Sequence, residues 1–340
     1  MKAAILKKIN SIPMIEEVEL TELQVGQVLV KVLVSGLCGA QLHEIRGHKG
    51  NAKFLPHLMG HEGCGIVENI GPGVSTVNIG DKVVMHWRKS AGIEAPFPKY
   101  ILDGEEISSG KVTTLSEYSI VSENRLTSVP PDTSEYLCAL LGCGMTTALG
   151  IINNDANIKF GESVLILGCG GVGLNLIQGA VLANAYPVVG MDINENKRSL
   201  ALKLGVSSFI NSSKEDISDF NIENFDVIID TTGNTEVIAK TIQLLSDNGR
   251  YIFVGQPKPG REITIPNGVD LWTPSGKTIK VSQGGSTVPH EDIPKYVRMQ
   301  KAGLIDINKI ITHTFALEQI EEAFRLLESG DAGRIMIHME

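Results

Sequence analysis

Three short glycine-rich segments carry side chains that bind metals well. Cys38 lies in Gly36-Leu37-Cys38-Gly39-Ala40-Gln41-Leu42-His43, His61 in Gly60-His61-Glu62-Gly63-Cys64-Gly65, and Cys143 in Gly142-Cys143-Gly144. Two thiolates and one imidazole make a three-ligand tetrahedral zinc site with its fourth position open to substrate. Glycine beside each of them lets backbone crowd closely around an ion. Taken singly, each also fits a blander role, a small core cysteine or a hydrogen-bonded histidine. The spacing from 38 to 61 to 143 is not a short zinc-finger pattern.

A second motif is Gly168-Cys169-Gly170-Gly171-Val172-Gly173. It directly follows the apolar run Val164–Leu167 and opens a helical stretch, the context in which G-x-G-x-x-G binds a dinucleotide. Gly168, Gly170, Gly171 and Gly173, with Val172 between them, let a pyrophosphate approach a helix N-terminus, where free N–H groups favour anions. Asp192 ends the next strand, placed to accept hydrogen bonds from a ribose 2′-hydroxyl. A carboxylate there repels a 2′-phosphate by roughly 4 kcal/mol per unit charge at about 4 Å and a dielectric near 20. NAD is therefore favoured over NADP, with Lys197 and Arg198 nearby in sequence softening the preference. A turn without a ligand, or a site for a nucleoside-methyl donor, would use the same glycines.

The elements that must position these groups fall into two patterns. The first 130 or so residues read as short strands between turns (Val28–Val34, Cys64–Ile70, Asp81–Met85, Ser116–Val121), a small β-barrel or sandwich. Between about Ser90 and Lys111 a Gly-, Pro- and charge-containing stretch reads as an excursion or lid. From about Ile151 strand and helix alternate. Val164–Leu167, Pro187–Met191, Phe225–Asp230, Tyr251–Val254 and Thr278–Ser282 read as strands; Asn196–Leu204 and Thr235–Leu245 read as helices. That is an α/β pattern with a parallel sheet and crossover helices. Leu317–Leu327, helical, and Arg334–His338, extended, break the alternation and are expected to pack back on the first domain.

The 340 residues are 42% hydrophobic and 20% charged, which excludes wholesale disorder. The net charge of −9 argues against nucleic acid as a partner. Five cysteines, odd in number and sparse, make no disulfide framework, and a reducing cytoplasm fits them best. Val164 to Ala183 is uncharged and of about membrane-spanning length, but its glycines, Asn175 and Gln178 favour strand, turn and helix.

These strings, in order along nearly the whole chain, resemble the zinc-dependent medium-chain alcohol dehydrogenase family. The carriers are Gly36–His43, Gly60–Gly73, Gly80–Val84, Gly142–Gly150, Gly168–Asp192 and Gly333-Arg334. The resemblance implies a GroES-like β-barrel catalytic domain over 1–147 and 288–340, and a Rossmann NAD-binding domain over 148–287. It implies Cys38, His61 and Cys143 as catalytic zinc ligands, with Glu62 in the same metal environment. His43 would take the alcohol proton, Thr147 and Arg334 would lie at the cofactor, Arg334 as a pyrophosphate partner, and Trp87 would line the substrate site. Apart from the resemblance, Arg88 and Lys89 after Trp87 are clustered cations that could pair with a carboxylate or phosphate on the substrate, or form a solvated basic loop. The reaction is hydride transfer between NAD and the hydroxyl or carbonyl carbon of a small alcohol, polyol or sugar-like substrate. Zinc suits it because it lowers the pKa of bound water from about 15.7 to about 7.

This chain departs from the family pattern in three places. Ala40 replaces the usual hydroxyl that relays the proton, so water or a second substrate hydroxyl is expected to bridge to His43. Gln41 replaces a usual Asp and is expected to hydrogen-bond His61. No cysteine occurs between Trp87 and Thr113, so one catalytic zinc per subunit and no structural zinc are expected. A homodimer paired through Thr278–Ser282 is the expected assembly, with no nucleic acid or membrane partner. The rival readings are a zinc-free quinone or enone reductase of the same fold, and an NAD-binding protein with impaired turnover.

Overall fold

A computed structural model describes residues 1–217, 224–272, 274 and 276–339. The chain divides into two compact units, Met1–Thr146 with Val288–Glu340, and Thr147–Thr287.

The first unit is built on the Gln27–Leu37 strand. Its valines at 28, 30, 32 and 34 are buried and alternate with the half-buried Leu29, Lys31 and Leu33, and beyond Val34 both faces are buried. It pairs antiparallel with Glu62–Ile70, Tyr118–Ser122 and Arg334–His338. The sheet then continues through Lys82–His86 to Leu126–Ser128 on one side and to Ile311–Ala316 on the other. Val28, Val30, Val32, Met85, Phe324, Ile335 and Ile337 fill the core beneath it. A second sheet runs Met14–Glu17, Lys2–Leu6, His57–Leu58, Glu105–Ser108, Lys99–Leu102, Glu19–Leu20.

The stretch read as a lid is part of this wall. Lys99–Leu102 and Glu105–Ser108 form a hairpin, and the buried Tyr100 hydroxyl accepts from Ile120 N–H at 2.7 Å. Glu123 fastens the approach to it, accepting from the N–H groups of Ser75, Thr76 and Ile93 at 2.6, 2.8 and 2.7 Å. Among the elements not anticipated are the helices Glu135–Leu141 and Pro289–Lys301, and the strand Ile311–Ala316. The tail does return to the first unit, where Arg334–His338 lies between Gln27–Leu37 and Ile311–Ala316.

The second unit is a parallel sheet in the order Ser208–Asn211, Val188–Asp192, Val164–Leu167, Phe225–Asp230, Leu245–Phe253, Thr278–Val281. Numbered along the chain this is 3-2-1-4-5-6, the doubly wound arrangement whose ligand crevice opens at the strand C-termini between the first and fourth strands. Val164–Leu167 is buried at every position, as a strand covered on both faces must be. The uncharged twenty-residue stretch resolves into this strand, a turn and the Gly171–Leu182 helix. No single helix among the described residues is long and apolar enough to cross a membrane.

Candidate active site

Cys38, His61 and Cys143 come together in the first unit, with their ligating atoms all within 4.8 Å of one another. Cys38 ends the central strand and caps the Gly39–Ile45 helix in extended conformation. His61 sits immediately before the neighbouring strand Glu62–Ile70. Cys143 lies in the break between the Glu135–Leu141 and Gly144–Gly150 helices. Gly142 makes this convergence possible: a Cβ there would fall 2.7 Å from the Glu62 Cα and 2.8 Å from its Cβ. Tetrahedral zinc with Zn–S of about 2.3 Å and Zn–N of about 2.0 Å requires donors ~3.5–3.8 Å apart, so the cluster fits the ion in donor type and spread.

The electrostatics already favour a ligand set. A hydrogen bond from the Cys143 thiol, with His61 adding a second, holds Cys38 well below the ordinary thiol range. The same hydrogen bond, with burial, pushes Cys143 up. Burial opposes charge on His61, but the hydrogen bond and field of Cys38 outweigh it and raise the imidazole. A bound dication favours deprotonation of both sulfurs and a neutral imidazole.

Glu62 and Arg334 form a buried pair. Glu62 is fully buried and its carboxylate accepts from Arg334 Nη2 and from Gly144 N–H at 3.1 Å. The donor cluster holds Cys38, His61 and Cys143 without it. Arg334 is only 2% exposed, and its charge is met by Glu62 inside the first unit. The reason is electrostatic: each buried charge needs its partner, and the Arg334–His338 strand delivers one to the other. Ser35 Oγ donates to Glu62 O at 3.1 Å and bonds Thr114 Oγ1 at 2.8 Å, a support that the sequence reading missed.

Gln41 differs from expectation. Its Oε1 accepts from Cys38 N–H at 2.8 Å, and its Nε2 is buried without a partner. This is the third helical position reaching back to the cap, and Cys38-x-x-Gln41 carried that signal in the sequence. His43 lies on the same helix with no hydrogen bond to its ring among the described residues, and the ring meets that of His48 edge-on at 5.5 Å. Burial, then the charges of His48, Lys49 and Arg46, lowers its pKa and keeps the ring neutral.

Trp87 is half-buried against the core of the first unit, with the Arg88 guanidinium 5.6 Å from its ring centroid. Next to them a cavity of about 690 Å³ is lined by Lys89, Ser90, Glu94, Arg125 and His290 among others; neither Trp87, Arg88 nor any of the three donors lines it.

In the second unit the glycine turn has the geometry its sequence implies. Gly168 adopts φ +86°, and Gly171, Val172 and Gly173 form the first turn of the Gly171–Leu182 helix, with Gly170 at its cap. A Cβ on Gly173 would collide with the Gly168 carbonyl oxygen. Asp192 closes the turn from the neighbouring strand, accepting from Cys169 N–H at 2.7 Å and Asn194 N–H at 2.9 Å. Lys197 is buried at the start of its helix, and Arg198 is taken up by Glu195 and Glu215. Thr147 is buried in the Gly144–Gly150 helix.

Two family models match the chain: the alcohol dehydrogenase GroES-like domain over residues 24–131 and the zinc-binding dehydrogenase model over 171–302. Alcohol dehydrogenase 6 of Peromyscus maniculatus is 29% identical, covering 99% of this chain and 97% of its own. An S-(hydroxymethyl)glutathione dehydrogenase of Synechocystis sp. is 28% identical over 99% of each chain. The crystal structure of benzyl alcohol dehydrogenase from Acinetobacter calcoaceticus superposes with a TM-score of 0.88 at 25% identity, covering 100% of this chain and 99% of that one. With matches to both halves and along the full length, the chain belongs to the zinc-dependent medium-chain alcohol dehydrogenase family.

Proposed function

We propose that this zinc- and NAD-dependent alcohol oxidoreductase holds one zinc per chain through Cys38, His61 and Cys143, and uses His43 to accept the alcohol proton. The observation that carries this reading is the convergence of the three donors within 4.8 Å from three separate segments. Zinc, when bound, supplies a Lewis acid that makes an alcohol oxygen easier to deprotonate, and NAD supplies the acceptor for hydride.

The chain's own groups do the rest. Cys38 and Cys143 hold the ion as thiolates, and His61 holds it as a neutral imidazole. Glu62 and Arg334 act as positioning residues. Their buried pair fixes the strand after His61, and the Glu62 carboxylate holds Gly144 N–H next to Cys143. His43 is neutral and free of hydrogen bonds among the described residues, so a ring nitrogen can take a proton. Ala40 offers no hydroxyl to relay it, and a water or a second substrate hydroxyl bridges the gap. The Gly170–Gly173 helix start binds the pyrophosphate, and Asp192 receives the ribose hydroxyls and disfavours a 2′-phosphate. Five free, buried cysteines support a reducing cytoplasm. The Thr278–Val281 edge strand, with Val281 75% exposed, supports pairing with a second copy.

The test is an absorbance screen of alcohols, polyols and sugars with NAD and NADP, with metal measured on the same sample. Oxidation with NAD, near one zinc per chain, and loss of both in Cys38→Ser and Cys143→Ser are expected. Full turnover in a zinc-free preparation overturns the reading.

A further inference from the structure

The Gly39–Ile45 helix, which starts at Cys38, ends in a turn rich in basic side chains. Backbone bonds close it, from Gly47 N–H to Glu44 O and from His48 N–H to His43 O, both 2.9 Å. This folds His48 back so that its ring meets His43. The neighbouring charges are mostly matched: Arg46 pairs with Glu328 at 2.7 Å, and Glu44 faces His57 at 3.7 Å. Lys49 is the exception. It is exposed, and among the described residues no carboxylate pairs with it. Beside it, His48 Nδ1 is buried without a hydrogen-bond partner. The field of Lys49 reaches both His43 and His61 and opposes charge on each.

An unmatched cation, an orphaned buried ring nitrogen and an unbonded imidazole therefore gather at the far end of a two-turn helix whose near end is a metal donor. A carboxylate or phosphate has several acceptor oxygens, enough to meet the Lys49 ammonium and a His48 ring N–H together. A neutral alcohol leaves the Lys49 charge unmatched.

We infer that Lys49 and His48 form a subsite for an anionic arm of the substrate, so that the preferred alcohols are hydroxy acids or phosphorylated alcohols. The inference rests on the dehydrogenase reading above and gives its substrate class. The anion stands at the end of the helix, and the reacting hydroxyl lies toward Cys38.

The experiment compares ω-hydroxy acids with diols of equal carbon number, and monophosphate esters of the same diols as a third series. At least a tenfold higher kcat/KM for one anionic series is expected. Lys49→Ala should erase that ratio, Lys49→Arg should keep most of it, and Lys49→Glu should turn it against the anion. Which series wins separates carboxylate from phosphate. Equal kcat/KM across the series, or a ratio that Lys49→Ala leaves intact, overturns the subsite. If no compound in any series is oxidised, the dehydrogenase reading fails instead. The subsite is then decided by NMR of the His43 and His48 ring protons during titration with acetate, inorganic phosphate and acetamide. Shifts with one of the anions but not the amide, abolished in Lys49→Ala, support it. Identical responses to all three overturn it.

Discussion

Replacing Arg334 by Met tests whether Glu62 is held by its counter-charge. Arg334 is 2% exposed and Glu62 is fully buried, so the substitution leaves a carboxylate in the core with only Gly144 N–H as a donor. Breaking one side of such a pair costs about 3–5 kcal/mol, because the remaining charge stays desolvated. For a domain of this size, about 2–4 °C of melting temperature follows each kcal/mol, so Arg334→Met should lower the transition by roughly 6–20 °C. The double variant Glu62→Gln with Arg334→Met removes the charge but keeps an acceptor for Gly144. It should recover about half of the loss or more. The chain's two tryptophans allow the first unit to be followed alone. Trp272 lies in the second unit and is 71% exposed, so Trp272→Phe leaves Trp87 as the reporter. Thermal melts monitored by Trp87 fluorescence then give the shift. If Arg334→Met melts within about 4 °C of its parent, or the double variant is no more stable than the single, the unpaired carboxylate is not what the arginine prevents.

Three further outcomes are expected. Burial depresses His86 to about 4, with its ring bonded to Arg88 O and Thr127 Oγ1. The unfolded chain binds this proton from about pH 6.5 downward and the folded chain does not. The His86 contribution is therefore full above that pH and is lost as pH falls through 4, a change of about 3 kcal/mol. Chemical denaturation of the first unit across this range should show that limb, and His86→Gln should flatten it. Gly173→Ala drives a Cβ into the Gly168 carbonyl and should weaken NADH binding about tenfold or more, measured by NADH fluorescence. Zinc removal by a chelator should lower the melting of the first unit while leaving the second in place. Restoring zinc at about 1,000 times its dissociation constant should return about 4 kcal/mol.

The local parts of this molecule were readable from the sequence, and the long-range parts were not. Val164–Leu167, the glycine turn and Asp192 announce themselves because an apolar run, a tight turn and a strand end are short-range signals. The central strand read as Val28–Val34 extends to Leu37, and its last residues are buried on both faces, which hides the alternation used to find it. Ser208–Asn211 was missed because four residues at a sheet edge carry too little pattern. The three metal donors were singled out by residue type and by family resemblance, never by spacing. The Glu62–Arg334 pair was not read from the sequence, because nothing local reveals that residues 272 positions apart neutralise one another. Gln41 was within reach of local reasoning, since a side chain three residues after a cap commonly turns back to it.

The partner that Glu62 needs is made long after it. At about 5–20 residues per second, the 272 positions separating it from Arg334 take roughly 15–55 s to translate. Throughout that interval the Gln27–Leu37 strand has an open edge where Arg334–His338 will dock, and the nascent barrel carries an uncompensated acid. The contiguous stretch Thr147–Thr287 emerges inside the same window with all six strands of its own sheet in hand. Synthesis therefore supplies every strand of the second unit before Arg334 arrives to neutralise Glu62.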